Sequence, residues 1–236
     1  MRVLVTRPAV SAARTAERLH ALGHEPVFLP LTEAVHAPDV ALDALQKPYA
    51  SLAMTSAEAA RALEPLGAKL TEQFTKTLYA VGPATARAAA DLGFRDIRTG
   101  PGTGLGLAEL IAGEARQTAF PLLYLTGRPR SSRFEDHLLA EELAVDVAEI
   151  YQMRPILHEP EQVAAALLSP PVDAVLLYSR ESASHFARLA ENLLPSLPKL
   201  QWLCISDNVA AAVPATHHAN IRTAASPDED GLMCLL

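Results

Sequence analysis

Cysteine is scarce in this sequence of 236 residues: there are two, Cys204 in an apolar strand-like run and Cys234 in an apolar segment near the end. Placed so, they predict buried free thiols in a reducing compartment rather than a disulfide staple, with the cytoplasm as the default location. Long apolar runs are missing as well. No stretch approaches the ~20 residues of a membrane-spanning helix, so no span and no membrane partner is expected. Met1-Arg2 leads directly into an apolar strand at Val3–Val5, which is expected to leave no room for a signal peptide. Positive charge is also short. Twenty Lys and Arg against 27 Asp and Glu give a net −7, which argues against nucleic acid as a partner, since phosphate binding needs a basic stripe. The run Arg128, Arg130, Arg133 is the local exception, and it suits either a solvated helix start or an anion site.

Several catalytic signatures are absent. There is no G-x-x-x-x-G-K-[ST] phosphate loop and no G-x-S-x-G nucleophile elbow. The run GPGTGLG at Gly100–Gly106 puts Leu105 where the dinucleotide fingerprint needs its third glycine, and it follows the wrong strand of its unit. His217 and His218 are adjacent, in a segment read as a loop, with no cysteine or carboxylate at ligand spacing, so no metal is expected. No residue stands out as a nucleophile or base.

What is present is a regular alternation of strands and helices. The segment Tyr79–Ile111 is the clearest case. An apolar run, Leu78–Val81, stops at Gly82-Pro83, and an Ala-rich helix with Thr85 in its first turn follows. Gly93 is its expected C-cap, Asp96–Thr99 a short strand, and Leu107–Ile111 a further helix. The pattern extends along the chain. Strands are predicted at Arg2–Thr6, Pro26–Leu31, Leu52–Met54, Phe120–Leu125, Val145–Tyr151, Val172–Tyr178 and Trp202–Ile205. Helices are predicted from Ser11, Asp39, Ala57, Ser131 or Ser132, Pro160 and Ser182. Thr32–Pro38 reads as an exposed connector. Such spacing predicts α/β architecture with parallel sheets covered by helices on both faces.

The chain also repeats itself. Ile97-Arg98-Thr99 returns as Ile221-Arg222-Thr223, an offset of 221 minus 97, or 124. Thr55-Ser56-Ala57-Glu58 answers Tyr178-Ser179-Arg180-Glu181, and Val5-Thr6-Arg7-Pro8 answers Thr126-Gly127-Arg128-Pro129. Four quarters result, the third copying the first and the fourth the second. In open α/β sheets ligands bind at the carboxyl ends of strands. There this chain has Thr6-Arg7, Thr55-Ser56, Gly82-Pro83, Thr126-Gly127-Arg128, Ser179 and Ser206-Asp207. Such turns present backbone N–H groups that hold anions without lysines, although Ser, Thr and Gly also serve simply to start helices.

Six elements in order carry a family resemblance: VLVTRP (3–8), TSAEAARAL (55–63), VGPATARAAADLGF (81–94), LAELI (107–111), LLYLTGRPR (122–130) and VAEIYQMRP (147–155). Together they resemble the uroporphyrinogen-III synthase family over nearly the whole chain. The resemblance implies two three-layer, flavodoxin- or Rossmann-like domains joined by a two-stranded linker. Residues 1–31 with 157–236 would form the first, discontinuous domain and 39–150 the second, with 32–38 and 151–156 as linkers. It implies that hydroxymethylbilane, a linear tetrapyrrole with eight carboxylates, is cyclised to uroporphyrinogen III in an interdomain cleft through a spiro intermediate, with loss of water and inversion of the last ring. No metal or cofactor is implied. A monomer is expected, with hand-over from the preceding enzyme of the pathway.

By position, the resemblance makes Tyr151 the proton donor to the departing hydroxyl; the alternative is a linker tyrosine packed against its neighbours. A phenol with a pKa near ~10 suits the donor role. Arg7, Thr55, Ser56, Gly82, Thr85, Gly127, Arg128, Ser179 and Ser182 form the candidate substrate-binding set. The chain departs from the family at Ser206-Asp207-Asn208-Val209, where Gly-x-x-Thr is usual, and at Tyr178, where threonine is common. The alternatives are a non-catalytic two-domain binder of a polyanionic small molecule and a nucleotide-dependent oxidoreductase.

Overall fold

The coordinates are a computed structural model that describes residues 1–114 and 120–236. The chain opens with β1 (Arg2–Val5), α1 (Ala9–Ala21) and β2 (Glu25–Phe28). Next come β3 (Thr32–His36), α2 (Pro38–Leu45), β4 (Ser51–Met54) and α3 (Ala57–Leu63), which runs into a 3-10 segment, Glu64–Thr75. β5 (Leu78–Ala80), α4 (Pro83–Leu92), β6 (Ile97–Thr99) and α5 (Gly104–Glu114) follow, then β7 (Leu122–Arg128), α6 (Arg133–Ala140) and β8 (Val145–Pro155). The last part holds α7 (Pro160–Leu168), β9 (Ala174–Leu177), α8 (Arg180–Leu189), β10 (Gln201–Cys204), α9 (Asp207–Ala210), β11 (Ile221–Thr223) and α10 (Glu229–Met233).

Two compact units result: unit 1 is Met1–Glu33 with Arg154–Leu236, and unit 2 is Ala34–Met153. Unit 1 has the strand order β11-β10-β9-β1-β2, every neighbour parallel. The sheet of unit 2 runs β3-β8-β7-β4-β5-β6, parallel from β8 to β6. Exchanging β1, β2, β9, β10 and β11 for β7, β8, β4, β5 and β6 turns the first order into the second, read from its other end and without the extra edge strand β3. These are the pairs that the sequence offsets predict, so the duplication is written in the topology.

Both sheets are buried on both faces, which explains why their strands read as unbroken apolar runs. Val3, Val5, Ala174 and Leu176 enter one core layer of unit 1, while Leu4, Val175 and Leu177 enter the other. In unit 2, Leu52, Met54, Leu123 and Leu125 face one layer, and Ala53, Leu122 and Tyr124 the opposite one. In each sheet the chain leaves two adjacent strands in opposite directions. These switch points, β1/β9 in unit 1 and β7/β4 in unit 2, are where doubly wound sheets open a crevice at the strand ends.

Several local expectations are corrected. Thr32–His36 is strand β3, placed beside β8, not a bare connector. Pro8 is the N-cap of α1, and Ser11 lies inside that helix. Ser179, not Ser182, caps α8, because only its hydroxyl reaches the N3 amide. His217 and His218 belong to a 3-10 turn, Ala215–Asn220. Cys204 is buried, but Cys234 is exposed, one residue beyond α10. Among the described residues no helix is long and apolar enough to cross a membrane.

Candidate active site

The switch point of unit 2 holds a cavity of about 230 Å³, lined among others by Thr55, Ser56, Tyr124, Thr126, Arg133 and Tyr151. Each element delivers its part for a local reason. β4 ends at Met54, so Thr55 and Ser56 fall in the turn, and Ser56 caps α3 by accepting the Glu58 amide at 3.1 Å. β7 runs three residues past the end of β4 and brings Thr126, 2% exposed, to the cavity. β8 slips register opposite the Thr126/Gly127 step, so Thr126 pairs with Glu149 but Gly127 with Tyr151. This irregularity aims Tyr151 across the strand ends, a use of bulges common beside active sites.

Tyr151 is half-buried, and burial raises its pKa above the ordinary tyrosine value. A hydrogen bond with Ser56 works the other way, and the charges of Glu58 and Arg61 act from farther off with opposite signs. Glu58 is itself held by His36 Nε2 at 2.7 Å and Arg61 Nη1 at 2.5 Å. The net direction keeps the phenol protonated at neutral pH, the state a proton donor needs.

On the rim, the three arginines are not equivalent. Arg128 pairs with Glu149, and Arg130 pairs with Glu135 at 2.6 Å and also with Glu149. Hydrogen bonds from Arg128 first, and from Arg130, hold the Glu149 carboxyl below its usual range. Arg133 lines the cavity, is exposed, and has no ion pair among the described residues.

The candidate set therefore separates. Tyr151, Thr55 and Ser56 meet in one cavity. Gly127 lies directly against the Tyr151 ring. Gly82 and Thr85 do not line that cavity: Gly82 approaches Gly102, where a Cβ would come within 3.2 Å of the Gly102 α-carbon, and Thr85 is 3% exposed. Ser179 and Ser182 hydrogen-bond one another in a reciprocal cap of α8 in unit 1. Thr126 stands among the strand-end residues of the sequence pattern but outside the candidate set, and Tyr124 stands in neither. Tyr124 looks like one more apolar residue of LLYL, and only the alternation of faces marks it out.

Arg7 sits at the switch point of unit 1, which the chain fills with its own carboxylate. Glu229 Oε1 accepts from Thr15 Oγ1 at 2.6 Å, Arg7 Nη1 at 3.0 Å and Tyr178 Oη at 3.1 Å. The Arg7 guanidinium also lies over the Tyr178 ring, 4.2 Å from its centre. A guanidinium so engaged serves the fold of unit 1. Arg7→Ala is expected to lower stability by about 2 kcal/mol, because Glu229 keeps its part-buried charge without its main cation. A thermal melt should show a fall of several degrees, with KM near the wild-type value; an unchanged melt with a raised KM would return Arg7 to the substrate-binding set.

The geometry defines a doubly wound α/β protein whose unit 2 gathers two phenols, Tyr124 and Tyr151, and several hydroxyls at one cavity. The family model of uroporphyrinogen-III synthase HemD matches residues 13–234, and the chain belongs to that family, whose members are cyclising lyases of heme biosynthesis. The fold agrees with two solved structures. Uroporphyrinogen-III synthetase from Helicobacter pylori is 18% identical with a TM-score of 0.69, covering 100% of this chain and 98% of its own. A mutant uroporphyrinogen III synthase from Thermus thermophilus is also 18% identical, with a TM-score of 0.57 and coverages of 100% and 96%. No curated protein sequence matches the chain.

Proposed function

We propose that this chain is a working uroporphyrinogen-III synthase with Tyr151 as its proton donor. The observation that carries the reading is the Tyr151 phenol in a hydroxyl-lined cavity at a sheet switch point, kept neutral by burial. Hydroxymethylbilane must lose its terminal hydroxyl. Tyr151 gives its proton to that oxygen, the C–O bond breaks, and neutral water leaves behind a positive charge on the methylene carbon of the first ring and a phenolate on Tyr151. The last pyrrole attacks that carbon through its substituted position and forms the spiro species; the original bond from that position to the preceding ring's methylene then breaks, and the methylene bonds instead to the ring's free α-carbon, which leaves the ring inverted. The proton released as the final ring regains aromaticity restores the phenol. No nucleophile is required, since the substrate supplies both partners and the protein supplies orientation and charge placement. The substrate's carboxylates meet the hydroxyls of Thr55 and Ser56 and the unpaired Arg133. The reading carries with it a monomeric cytoplasmic enzyme supplied with hydroxymethylbilane by the reaction before it.

The test is conversion of hydroxymethylbilane with the isomers resolved. The type III product should dominate, whereas a protein that only binds the tetrapyrrole leaves the type I isomer that forms spontaneously. Type I alone would refute the reading.

A further inference from the structure

Tyr124 is the least expected member of the cavity. It sits in the middle of β7 on the face shared with Ala53, Phe134 and Leu138, and is 1% exposed. Its ring is packed against Phe134, with centroids 4.5 Å apart. From there its hydroxyl lies 2.7 Å from Thr55 Oγ1 at the cavity wall. The neighbouring residue, Ser56, hydrogen-bonds Tyr151. Two consecutive hydroxyls in the β4 turn are thus each coupled to a phenol, and only the Tyr151 phenol has been given a task.

Acidity settles which oxygen of the Tyr124–Thr55 pair donates. A phenol is a far stronger acid than an alkyl alcohol, hence the better donor, and a hydroxyl that accepts one bond keeps its own proton for another. We infer that Tyr124 is a positioning residue for substrate binding: its phenol O–H donates to Thr55 Oγ1 and so turns the Thr55 proton into the cavity, as a donor for a substrate carboxylate. The inference rests on the reading of this cavity as the tetrapyrrole site. Without Tyr124, Thr55 can spend its proton elsewhere and meet the carboxylate with a lone pair.

The experiment is a double-mutant cycle of Tyr124→Phe and Thr55→Val, read in two ways. Phe keeps the ring and its packing on Phe134, so the Tm should stay near the wild type. With hydroxymethylbilane, Tyr124→Phe should raise KM about 5-fold and Thr55→Val about 10-fold, kcat staying within about 2-fold, as lost uniform binding requires. The double variant should be no worse than Thr55→Val alone, and Thr55→Ser should retain the wild-type KM. The second readout is the Kd for uroporphyrin III, an octacarboxylate bound without turnover, which should show the same non-additivity. That arm judges Tyr124 even where type III formation judges the function. Effects that add, or a Kd that Tyr124→Phe leaves at the wild-type value, overturn the inference.

Discussion

Tyr151→Phe is expected to lower kcat for uroporphyrinogen III formation by about 100-fold while leaving KM and the thermal midpoint near wild type. Placed general acids contribute roughly 100- to 10,000-fold, and the lower end applies because the hydroxyl of hydroxymethylbilane also departs unaided. The ring itself stays, so its packing on Gly127 and on the core layer behind it survives. As the catalysed path slows, spontaneous closure overtakes it, and the product mixture should move towards type I. The pH profile gives a second check. Burial raises the Tyr151 pKa, so the donor form persists to higher pH than for a free tyrosine, and any alkaline limb due to it lies above the ordinary value of 10.0. The sign for stability is the same: a neutral buried phenol contributes fully below the unfolded pKa, and its contribution is lost as pH rises through the folded one. A 100-fold loss accompanied by an unchanged isomer ratio, or no loss at all, would remove Tyr151 from the chemistry.

Much of this site could be read before any coordinates. Strand ends are marked by Gly, Pro, Ser and Thr because helices must start there, and parallel strands buried on two faces announce themselves as apolar runs. The residues that flank both switch points, Thr6-Arg7 with Ser179 and Thr126-Gly127 with Thr55-Ser56, therefore stood among the strand-end turns that the repeat picked out, although nothing local said which of those turns adjoin. What stayed hidden has one physical origin: the partner of a side chain is a property of the fold. Glu229 lies 222 residues from Arg7, and nothing local foretells that a five-residue helix carries it into the crevice of unit 1. Arg7 and Arg128 do occupy equivalent places, yet equivalence of position set both against carboxylates of their own units, whereas Arg133, at the cavity, has no ion pair among the described residues. Tyr124 was invisible for the reason that made β7 easy to find. In a strand covered on both sides, a phenol has the same apolar neighbours in sequence whether its hydroxyl ends in the core or at a cavity.

Gly127→Ala is expected to have an effect of similar size on turnover, for a different reason than its place in a strand-end turn suggested. An ideal Cβ at this position would fall 2.5 Å from Cδ2 of Tyr151, and closer still to Cε2 and Cζ. Carbon atoms rest at about 3.5–4.0 Å, so the ring must move by roughly 1 Å or more. The glycine is not needed for a left-handed backbone, since Gly127 is absent from the positive-φ positions Gly23, Gly67, Gly93 and Gly102. The cost thus falls on the ring, the flexible partner, and stability should drop by only about 1–2 kcal/mol. Activity has no such slack. A displacement of about 1 Å takes the phenol off Ser56 and away from the departing hydroxyl, and misplacement on that scale costs about 100-fold. The decisive measurement is kcat of Gly127→Ala in the Tyr151→Phe background. There the added methyl should slow turnover less than 3-fold further, because the group it displaces has already been removed. A full second loss of 100-fold would mean that Gly127 serves the substrate directly, through its own amide, and that the Tyr151 ring lies against it by coincidence of packing.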